Sequence, residues 1–302
     1  TGIENITYDS GQCILGHNRL SIIDISELSN QPFWDKEKCC VLSYNGEIYN
    51  FKEIKEKLKK LGHTFRTPGD TEVLLLSYKE WGTGCVNYLN GFFSFLVFDT
   101  QKNMMILFRD RFGVKPLFYY QSNNVFVCAS TTNTIANFFN LQPDSSHLAR
   151  GERLGIYENG TDQTAYKGLF SLEAGHFMTV FVQKEKIVVH KKRYYDFYSQ
   201  VDCVQERIKY MSEQEILYEL RCLLENSIGL RSKADVPVGI SLSGGLDSSS
   251  IAAYYPERLE KLPCFSYGSP ELKNSEGPVV QSLADSLGLD VTYIDKKLPY
   301  LI

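Results

Sequence analysis

The fold of the chain is decided by Pro237-Val238-Gly239-Ile240-Ser241-Leu242-Ser243-Gly244-Gly245-Leu246-Asp247-Ser248-Ser249-Ser250. The apolar run 236–242 predicts a strand, the Ser-Gly-Gly turn interrupts it, and the small residues after Asp247 predict a helix. Glycines let backbone N–H groups approach an anion, the serine hydroxyls add donors, and a helix N-terminus adds partial positive charge. The stretch therefore predicts a phosphate-binding loop.

The residues after the two glycines indicate which class of phosphate-binding loop this is. A loop of the GxxxxGK[ST] type has lysine after its second glycine, whereas here Leu246 and Asp247 follow. The loop resembles the SGGxDS pyrophosphate loop of the ATP-pyrophosphatases, which holds the β- and γ-phosphates while a carboxylate attacks the α-phosphorus. The alternative is a glycine turn with Asp247 as a helix cap. The resemblance implies an ATP site formed by Leu242, Ser243, Gly244, Gly245, Leu246, Asp247, Ser248, Ser249 and Tyr267.

The sequence around this loop alternates helices with strands. Ser212-Glu213-Gln214-Glu215 predicts a capping box that opens a helix to about Leu230. Strands are predicted at 263–267 and 291–294, with a helix at 279–287 between them. This alternation favours an α/β domain with a parallel sheet. The polar residues 199–206 predict an irregular linker before it.

The first 198 residues have a different pattern. Alternating apolar residues predict strands over 40–44, 92–98, 104–108, 117–120, 125–129, 177–182 and 187–190, and a short strand over 20–23. Helical spacing predicts helices over 51–61 and from Asp70 to Gly82, with Asn50 as one cap and Asp70 as a possible second. Asn45-Gly46 is compatible with a tight hairpin turn. The first half is therefore an antiparallel α+β domain.

Composition excludes several classes of protein. The 302 residues leave room for two domains, and a net charge of −4 gives no reason to expect binding to nucleic acid or to a membrane surface. The sequence contains no apolar run long enough for a membrane helix. Eight scattered cysteines predict free thiols in a reducing cytoplasm, and neither they nor the five histidines show a metal-binding pattern.

Several segments together resemble one family. They are Gly16 to Asp24 (GHNRLSIID), Tyr44 to Asn50 (YNGEIYN), Gly69 to Val73 (GDTEV), Leu89 to Phe93 (LNGFF), Arg109 to Leu117 (RDRFGVKPL), Gly168 to Phe170, Gly175-His176 and Arg193 to Asp196 (RYYD). In this order they are similar to the glutaminase domain of glutamine-hydrolysing asparagine synthetases. The phosphate loop is similar to the synthetase domain of the same family, so the resemblance covers nearly the whole chain.

The resemblance implies a fold and an activity. Residues 1–198 would form a class II glutamine amidotransferase domain, an αββα sandwich of the N-terminal-nucleophile type. Residues 199–211 would be a linker, and 212–302 the first part of an α/β parallel-sheet ATP-pyrophosphatase domain. Asparagine would form from aspartate, ATP and glutamine through β-aspartyl-AMP, with Mg²⁺ on the phosphates and ammonia passed between the sites. The resemblance also suggests a homodimer as the oligomeric state.

The resemblance also implies roles for individual residues. Arg19 would bind the glutamine α-carboxylate, with Leu20, Ser21, Ile22 and Ile23 beside it. Glu47 and Asp70 would receive the α-ammonium group. Asn45 and Gly46 would form the oxyanion hole, where each donor contributes about 3–4 kcal/mol. Arg19 could instead be a surface ion-pair partner. The cluster Arg109-Asp110-Arg111 with Lys115 is interpreted as a structural ion-pair network.

The chain departs from the family at its ends. The family's nucleophile is an N-terminal cysteine, and no cysteine occupies that place here. We interpret residues 1–16 as the segment before the GHNRL strand rather than Thr1 as a replacement nucleophile. We therefore expect further sequence upstream, a synthetase sheet that continues beyond Ile302, and no glutamine hydrolysis by the chain as given.

Three other functions remain open at this level. A relative could amidate another carboxylate, such as a sugar acid or a peptide. A relative could have lost the glutaminase activity, as the β-lactam synthetases have, although the intact site residues argue against this. A third possibility is a non-catalytic protein that keeps the fold, but such a protein has no physical need for a phosphate loop.

Overall fold

A computed structural model describes residues 2–8, 11–157, 160–183, 186–255, 262–267 and 276–294. The chain divides into two units, residues 1–203 and 204–302. This division lies inside the segment 199–211 that the sequence suggested as a linker. Thr1, considered above as a nucleophile, lies outside the described residues, as do the last eight residues of the chain.

The first unit is built on antiparallel strands. Its strands are β1 (Gly2–Tyr8), β2 (Gly11–His17), β3 (Phe33–Trp34), β4 (Cys40–Ile48), β5 (Gly91–Asp99), β6 (Met104–Arg109), β7 (Phe118–Gln121), β8 (Phe126–Ala129), β9 (Leu169–Ser171), β10 (His176–Gln183) and β11 (Lys186–Arg193). A six-stranded sheet has the order β11-β10-β6-β5-β4-β3, a three-stranded sheet has the order β8-β7-β9, and β1 pairs with β2. The strands predicted from 40 to 129 and the hairpin at 177–190 are confirmed.

Helices lie on both outer faces of these sheets. The first unit has α1 (Phe51–Lys60), α2 (Asp70–Trp81), α3 (Thr132–Phe139) and α4 (Ser145–Leu154), and α5 (Phe197–Ile208) spans the division between the two units. One core joins α1 and α2 to the six-stranded sheet through Ile54, Leu74 and Phe95. A second core, including Leu107 and Tyr119, joins the two sheets.

The outer layer on the other side is α3. Phe139 of this helix stacks on Tyr120 of β7, with ring centroids 4.5 Å apart. Neighbouring residues on a strand face opposite sides of the sheet, so Tyr119 faces the core between the sheets and Tyr120 faces the helix. The layer order is helix, sheet, sheet, helix. The predicted αββα sandwich is therefore confirmed.

Two of the predicted elements are wrong. Residues 20–23 form a loop rather than a strand. Arg19 holds this loop by donating hydrogen bonds to the carbonyl groups of Ile23, Asp24 and Ser26, so the loop turns back on its own first residues. Residues 199–206 belong to α5 rather than to an irregular linker. This helix has no buried residue, although Phe197, Val201, Val204 and Ile208 recur at helical spacing in its sequence.

The second unit has the predicted α/β order. Its elements are α6 (Glu213–Arg231), β12 (Ile240–Ser241), α7 (Leu246–Ala253), β13 (Cys264–Tyr267), α8 (Gly277–Leu287) and β14 (Val291–Ile294). The strands pair in parallel in the order β12-β13-β14. Ser212 and Glu215 form the predicted capping box of α6. Ile240, Ala252 and Val280 belong to the core between the strands and α7 and α8.

Two further observations concern the cysteines and the character of the helices. All eight cysteines are free, and Cys13, Cys40, Cys85 and Cys264 are buried. In the parts of the chain described above, no helix has the length and apolar character needed to cross a membrane.

Candidate functional site

The first unit contains a cleft of about 660 Å³. It is lined by residues from the loop after β2, from β4 and from the start of α2. These include every residue that the sequence assigned to glutamine: Arg19, Leu20, Ser21, Ile22, Ile23, Asn45, Gly46, Glu47 and Asp70. The loop after β2, strand β4 and the start of α2 are far apart in sequence, but all three line this one cleft. The resemblance assigned residues of all three to glutamine.

Asn45 and Gly46 lie inside β4, where they pair with Ser94 and Phe93 of β5. The interpretation of Asn45-Gly46 as a hairpin turn is therefore wrong. Gly46 has a φ of +152°, and a Cβ atom there would lie 2.0 Å from the carbonyl oxygen of Phe92. Glycine is required because the neighbouring strand occupies the side-chain position.

Asp70 is the first residue of α2 and is 4% exposed. It does not cap the helix, because the capping residue is Gly69. Its Oδ2 instead accepts hydrogen bonds from the Tyr44 hydroxyl, at 2.9 Å, and from the Ile48 N–H, at 3.0 Å. These bonds fix the start of α2 against β4 and hold the Asp70 carboxylate beside the cleft.

The two acidic residues of the cleft are both harder to ionise than in water. Burial, followed by the nearby charge of Asp70, raises the pKa of Glu47 to about 8. Burial also raises the pKa of Asp70, although its hydrogen bonds with Ile48 and Tyr44 act in the opposite direction. Two carboxyl groups that are hard to ionise together favour a cation between them. The cleft is therefore suited to an ammonium group.

Arg19 lies near the start of the loop that follows β2, and hydrogen bonds hold its side chain in place. Its guanidinium donates to the Ser26 carbonyl at 2.9 Å, to the Ile23 carbonyl at 3.2 Å and to the Asp24 carbonyl. Three of its five N–H groups are used in this way, and two are left for a ligand. Arg19 forms no ion pair with any residue in the described ranges, so the surface ion-pair alternative is not supported.

The sequence reasoning missed other residues of the cleft. Gln31 is 4% exposed, and its Oε1 accepts a hydrogen bond from the Tyr44 N–H at 2.6 Å. Ser130, Thr131 and Thr134, near the start of α3, also line the cleft. No pattern marks these residues, because they reach the site through the packing of the two sheets.

In the contacts that the structure describes, the cluster around Asp110 is held by hydrogen bonds to the backbone, where the sequence predicted an ion-pair network. Asp110 is 1% exposed and accepts hydrogen bonds from the N–H groups of Phe93, Phe112, Val114 and Lys115. Arg111 donates to the carbonyl groups of Val86 and Leu89. These contacts join side chains to the backbone rather than opposite charges. Lys115 itself lines the cleft.

The second unit holds the predicted phosphate loop between β12 and α7. Gly244 has a φ of +72°, and a Cβ there would lie 3.0 Å from Cγ1 of Val279 in α8. Ser248 crosses the loop, since its hydroxyl lies 3.2 Å from both the N–H and the hydroxyl of Ser243. Gly245 is the capping residue of α7, so the alternative of Asp247 as the cap is wrong.

The remaining predicted ATP residue lies at the same edge of the sheet. Tyr267 is the last residue of β13 and is 60% exposed. Because β12 and β13 are parallel and adjacent, Tyr267 and the phosphate loop both lie at the carboxyl ends of the strands. Ligands of open α/β sheets bind at this edge. The described residues contain no group of three or more metal-ligating side chains.

Comparison with protein families gives two matches. A family described as a glutamine amidotransferase domain matches residues 4–195. A second family, described as asparagine synthase, matches residues 219–297. The first match contains all the cleft residues assigned to glutamine, and the second contains the phosphate loop.

Individual proteins show the same similarity. The chain is 31% identical to asparagine synthetase (glutamine-hydrolysing) 3 of Bacillus subtilis over 91% of its length, which is 46% of that protein. It is 34% identical to a protein of Methanocaldococcus jannaschii, provisionally named asparagine synthetase (glutamine-hydrolysing) 2, over 90% of this chain and 54% of that one. The chain thus spans about half the length of these relatives.

A solved structure shows a weaker similarity. Glutamine phosphoribosylpyrophosphate amidotransferase from B. subtilis is 16% identical, with a TM-score of 0.37 over 87% of this chain and 48% of that one. This similarity is too low to support an argument about function.

Proposed function

Because the chain belongs to the family of glutamine-hydrolysing asparagine synthetases, we propose that its first unit binds glutamine and its second unit binds ATP. The observation that carries the proposal is the convergence of Arg19, Glu47 and Asp70 with Asn45-Gly46 on one cleft. These groups supply the charges and donors that an amino acid with a side-chain amide requires.

Glutamine has three polar ends that need partners. The two free N–H groups of Arg19, one on Nε and one on Nη1, would each donate a single hydrogen bond toward the α-carboxylate of glutamine. Glu47 and Asp70 would neutralise the α-ammonium group. The Asn45 amide and the Gly46 N–H would then stabilise the negative oxygen that forms when a nucleophile attacks the side-chain amide.

The phosphate loop would bind ATP at the N-terminal end of α7. Backbone N–H groups at Gly244 and Gly245 and the hydroxyls of Ser243, Ser248 and Ser249 are the donors for phosphate oxygens. The exposed carboxylate of Asp247 and these hydroxyls are the hard oxygen ligands that Mg²⁺ prefers. When bound, Mg²⁺ would neutralise phosphate charge, with most of its ligands coming from the nucleotide.

The activity proposed for the whole protein is asparagine synthesis. Aspartate and ATP would form β-aspartyl-AMP with release of pyrophosphate, and ammonia from glutamine would displace AMP to give asparagine. We place the protein in the cytoplasm, where its free cysteines would stay reduced. A homodimer is the proposed assembly.

One experiment tests the two halves separately. Pyrophosphate release by the full-length protein is measured with ATP and glutamine, with and without aspartate, and asparagine and glutamate are quantified. Aspartate-dependent pyrophosphate release, with both amino acids formed in equal amounts, is the expected result. Glutamate formation without aspartate-dependent pyrophosphate would show that another carboxylate is the acceptor.

A further inference from the structure

Gln31 is a nearly buried residue of the cleft to which the proposed function gives no role. It lines the cleft and is 4% exposed. The orientation of its amide is fixed, because the N–H of Tyr44 lies 2.6 Å away and a donor can face only the amide oxygen, Oε1. The amide nitrogen, Nε2, therefore lies on the side of the group that Tyr44 does not use.

The NH₂ group of Gln31 has no hydrogen-bond acceptor among the residues that the structure describes. It is not enclosed by protein either, because within the described ranges the enclosed side-chain polar atom that lacks a hydrogen bond is Oγ of Ser266 alone. The NH₂ group is thus accessible, and the open space that Gln31 lines is the cleft. A buried residue therefore offers unused N–H donors to the ligand space.

Gln31 is held at the edge of β4. Phe33 of β3 pairs with Leu42 of β4, and the Gln31 side chain continues this ladder by accepting the N–H of Tyr44, two residues further along. The residue after Tyr44 is Asn45, the first residue of the proposed oxyanion hole. The Gln31 amide is therefore fixed where β4 enters the cleft.

Gln31 is also connected to the loop that contains Arg19. Asp24 joins the two parts of this segment, since its carbonyl accepts a hydrogen bond from Arg19 and its Oδ2 accepts one from the Ser29 hydroxyl. Ser29 lies two residues before Gln31. Arg19 and Gln31 thus belong to one hydrogen-bonded segment that borders the cleft.

The chemistry of the NH₂ group limits which part of glutamine it can bind. An amide NH₂ donates and does not accept, so it cannot bind the α-ammonium group. The side-chain oxygen of glutamine is already assigned to Asn45 and Gly46. The α-carboxylate can accept about four hydrogen bonds, of which Arg19 would supply one from Nε and one from Nη1. The α-carboxylate is therefore the acceptor that still needs donors.

We propose that Gln31 is a binding residue of the glutamine site, where its NH₂ group donates to the α-carboxylate beside Arg19 while Oε1 stays bonded to β4. Donors from two different positions would fix the orientation of the carboxylate, and with it the direction in which the side-chain amide of glutamine extends toward Asn45 and Gly46. The inference rests on the proposed function, because glutamine is the ligand in question.

The test compares two ligands by calorimetry, glutamine and L-glutaminamide, in which a neutral carboxamide replaces the α-carboxylate. Gln31→Met should bind glutamine at least tenfold more weakly than the unaltered chain does, because a hydrogen bond to a charged group is lost. For L-glutaminamide the loss should be about threefold or less, since a bond to a neutral acceptor is weaker. Gln142→Met, at an exposed position outside the cleft, is the matched control and should bind both ligands like the unaltered chain.

A second variant separates this contact from support of the fold, because Gln31→Met also removes the acceptor of the Tyr44 N–H. Gln31→Glu keeps an oxygen for that N–H but lacks the NH₂ group, so it should unfold at a higher urea concentration than Gln31→Met. It should show the same difference between the two ligands, and it provides the comparison if Gln31→Met is too unstable to bind.

The outcomes distinguish this inference from the proposed function. If the unaltered chain binds glutamine but the variants lose affinity equally for both ligands, or lose none, the assignment of Gln31 to the α-carboxylate is overturned and the glutamine site remains. If the unaltered chain binds no glutamine, the proposed function fails and the assignment fails with it.

Discussion

The carbonyl oxygen of Phe92 lies 2.0 Å from the position that a Cβ atom would take at Gly46. The two residues lie on adjacent strands, β4 and β5, and the same close approach recurs in reverse. A Cβ at Gly91 would lie 2.1 Å from the carbonyl oxygen of Glu47. Two glycines thus bring the strands together at the point where β4 lines the cleft.

Gly46→Ala should destabilise the first unit by about 3 kcal/mol or more, because a methyl group must displace backbone that no side-chain rotation can move. The measurement is urea unfolding. Gly84→Ala is the matched control, since nothing lies within 4 Å of a Cβ there, and it should change stability by less than about 0.5 kcal/mol. Similar stability for both variants would show that the strands are not held this closely.

Glu47→Gln should stabilise the ligand-free protein at alkaline pH. The pKa of Glu47 is about 8 in the folded chain and lower when unfolded, so the folded state binds the extra proton between these values. Its contribution to stability therefore falls as the pH rises from about 4.5 to 8. Glu47→Gln removes this loss, and with allowance for solvent screening the gain at pH 8.5 is about 1–2 kcal/mol.

Urea unfolding at pH 5 and at pH 8.5 separates this effect from a general change in stability. The gain should be small at pH 5 and larger at pH 8.5. Glu152→Gln, at an exposed position of α4, should show no such difference. A gain of equal size at both pH values would contradict the prediction.

Most of the predicted residues of the cleft were identified from short local motifs. The GHNRL, NGE and GDTE segments pointed to Arg19, Asn45, Glu47 and Asp70, which the structure brings to one cleft. The local structure was misassigned at residues 20–23, which form a loop, and at Asn45-Gly46, which lie in a strand. Gly46 looked like a turn because its requirement for glycine comes from β5, which is distant in sequence. Asp70 looked like a cap because its partners, Tyr44 and Ile48, are known only after the sheet and α2 have packed.

Residues without a local signature could not be found in this way. Gln31 reaches the site because its side chain replaces a strand partner for the Tyr44 N–H. Lys115 stood in a quoted motif, but its direction is set by hydrogen bonds to Arg109 and Asp110 that the spacing does not reveal. In α5, by contrast, Phe197, Val201 and Val204 do recur at helical spacing, a local signal that the polar residues of the segment obscure.

Arg19→Lys should loosen the loop that follows β2 and weaken glutamine binding. An ammonium group lacks the planar fork that contacts the carbonyls of Ile23, Asp24 and Ser26 and still leaves two donors for a carboxylate. We expect faster amide hydrogen exchange over residues 20–26 and at least a tenfold loss of glutamine affinity. Arg153→Lys, at an exposed position of α4, should change neither property. Loss of affinity with unchanged exchange would separate the ligand contact from the loop contacts and contradict the combined role.

Ser248→Ala should weaken ATP binding about tenfold, whereas Ser250→Ala should leave it within about twofold. Both residues are helical serines of α7, but their hydroxyls have different partners. That of Ser248 lies 3.2 Å from the Ser243 N–H across the phosphate loop, whereas that of Ser250 donates to the Leu246 carbonyl within the helix. Removing the first hydroxyl takes away a phosphate donor and also releases the loop, so its N–H groups are no longer preorganised for an anion. Calorimetric titration of the chain with Mg-ATP measures both variants under the same conditions. Equal affinities would show that the loop does not depend on this contact and would argue against a phosphate site at the start of α7.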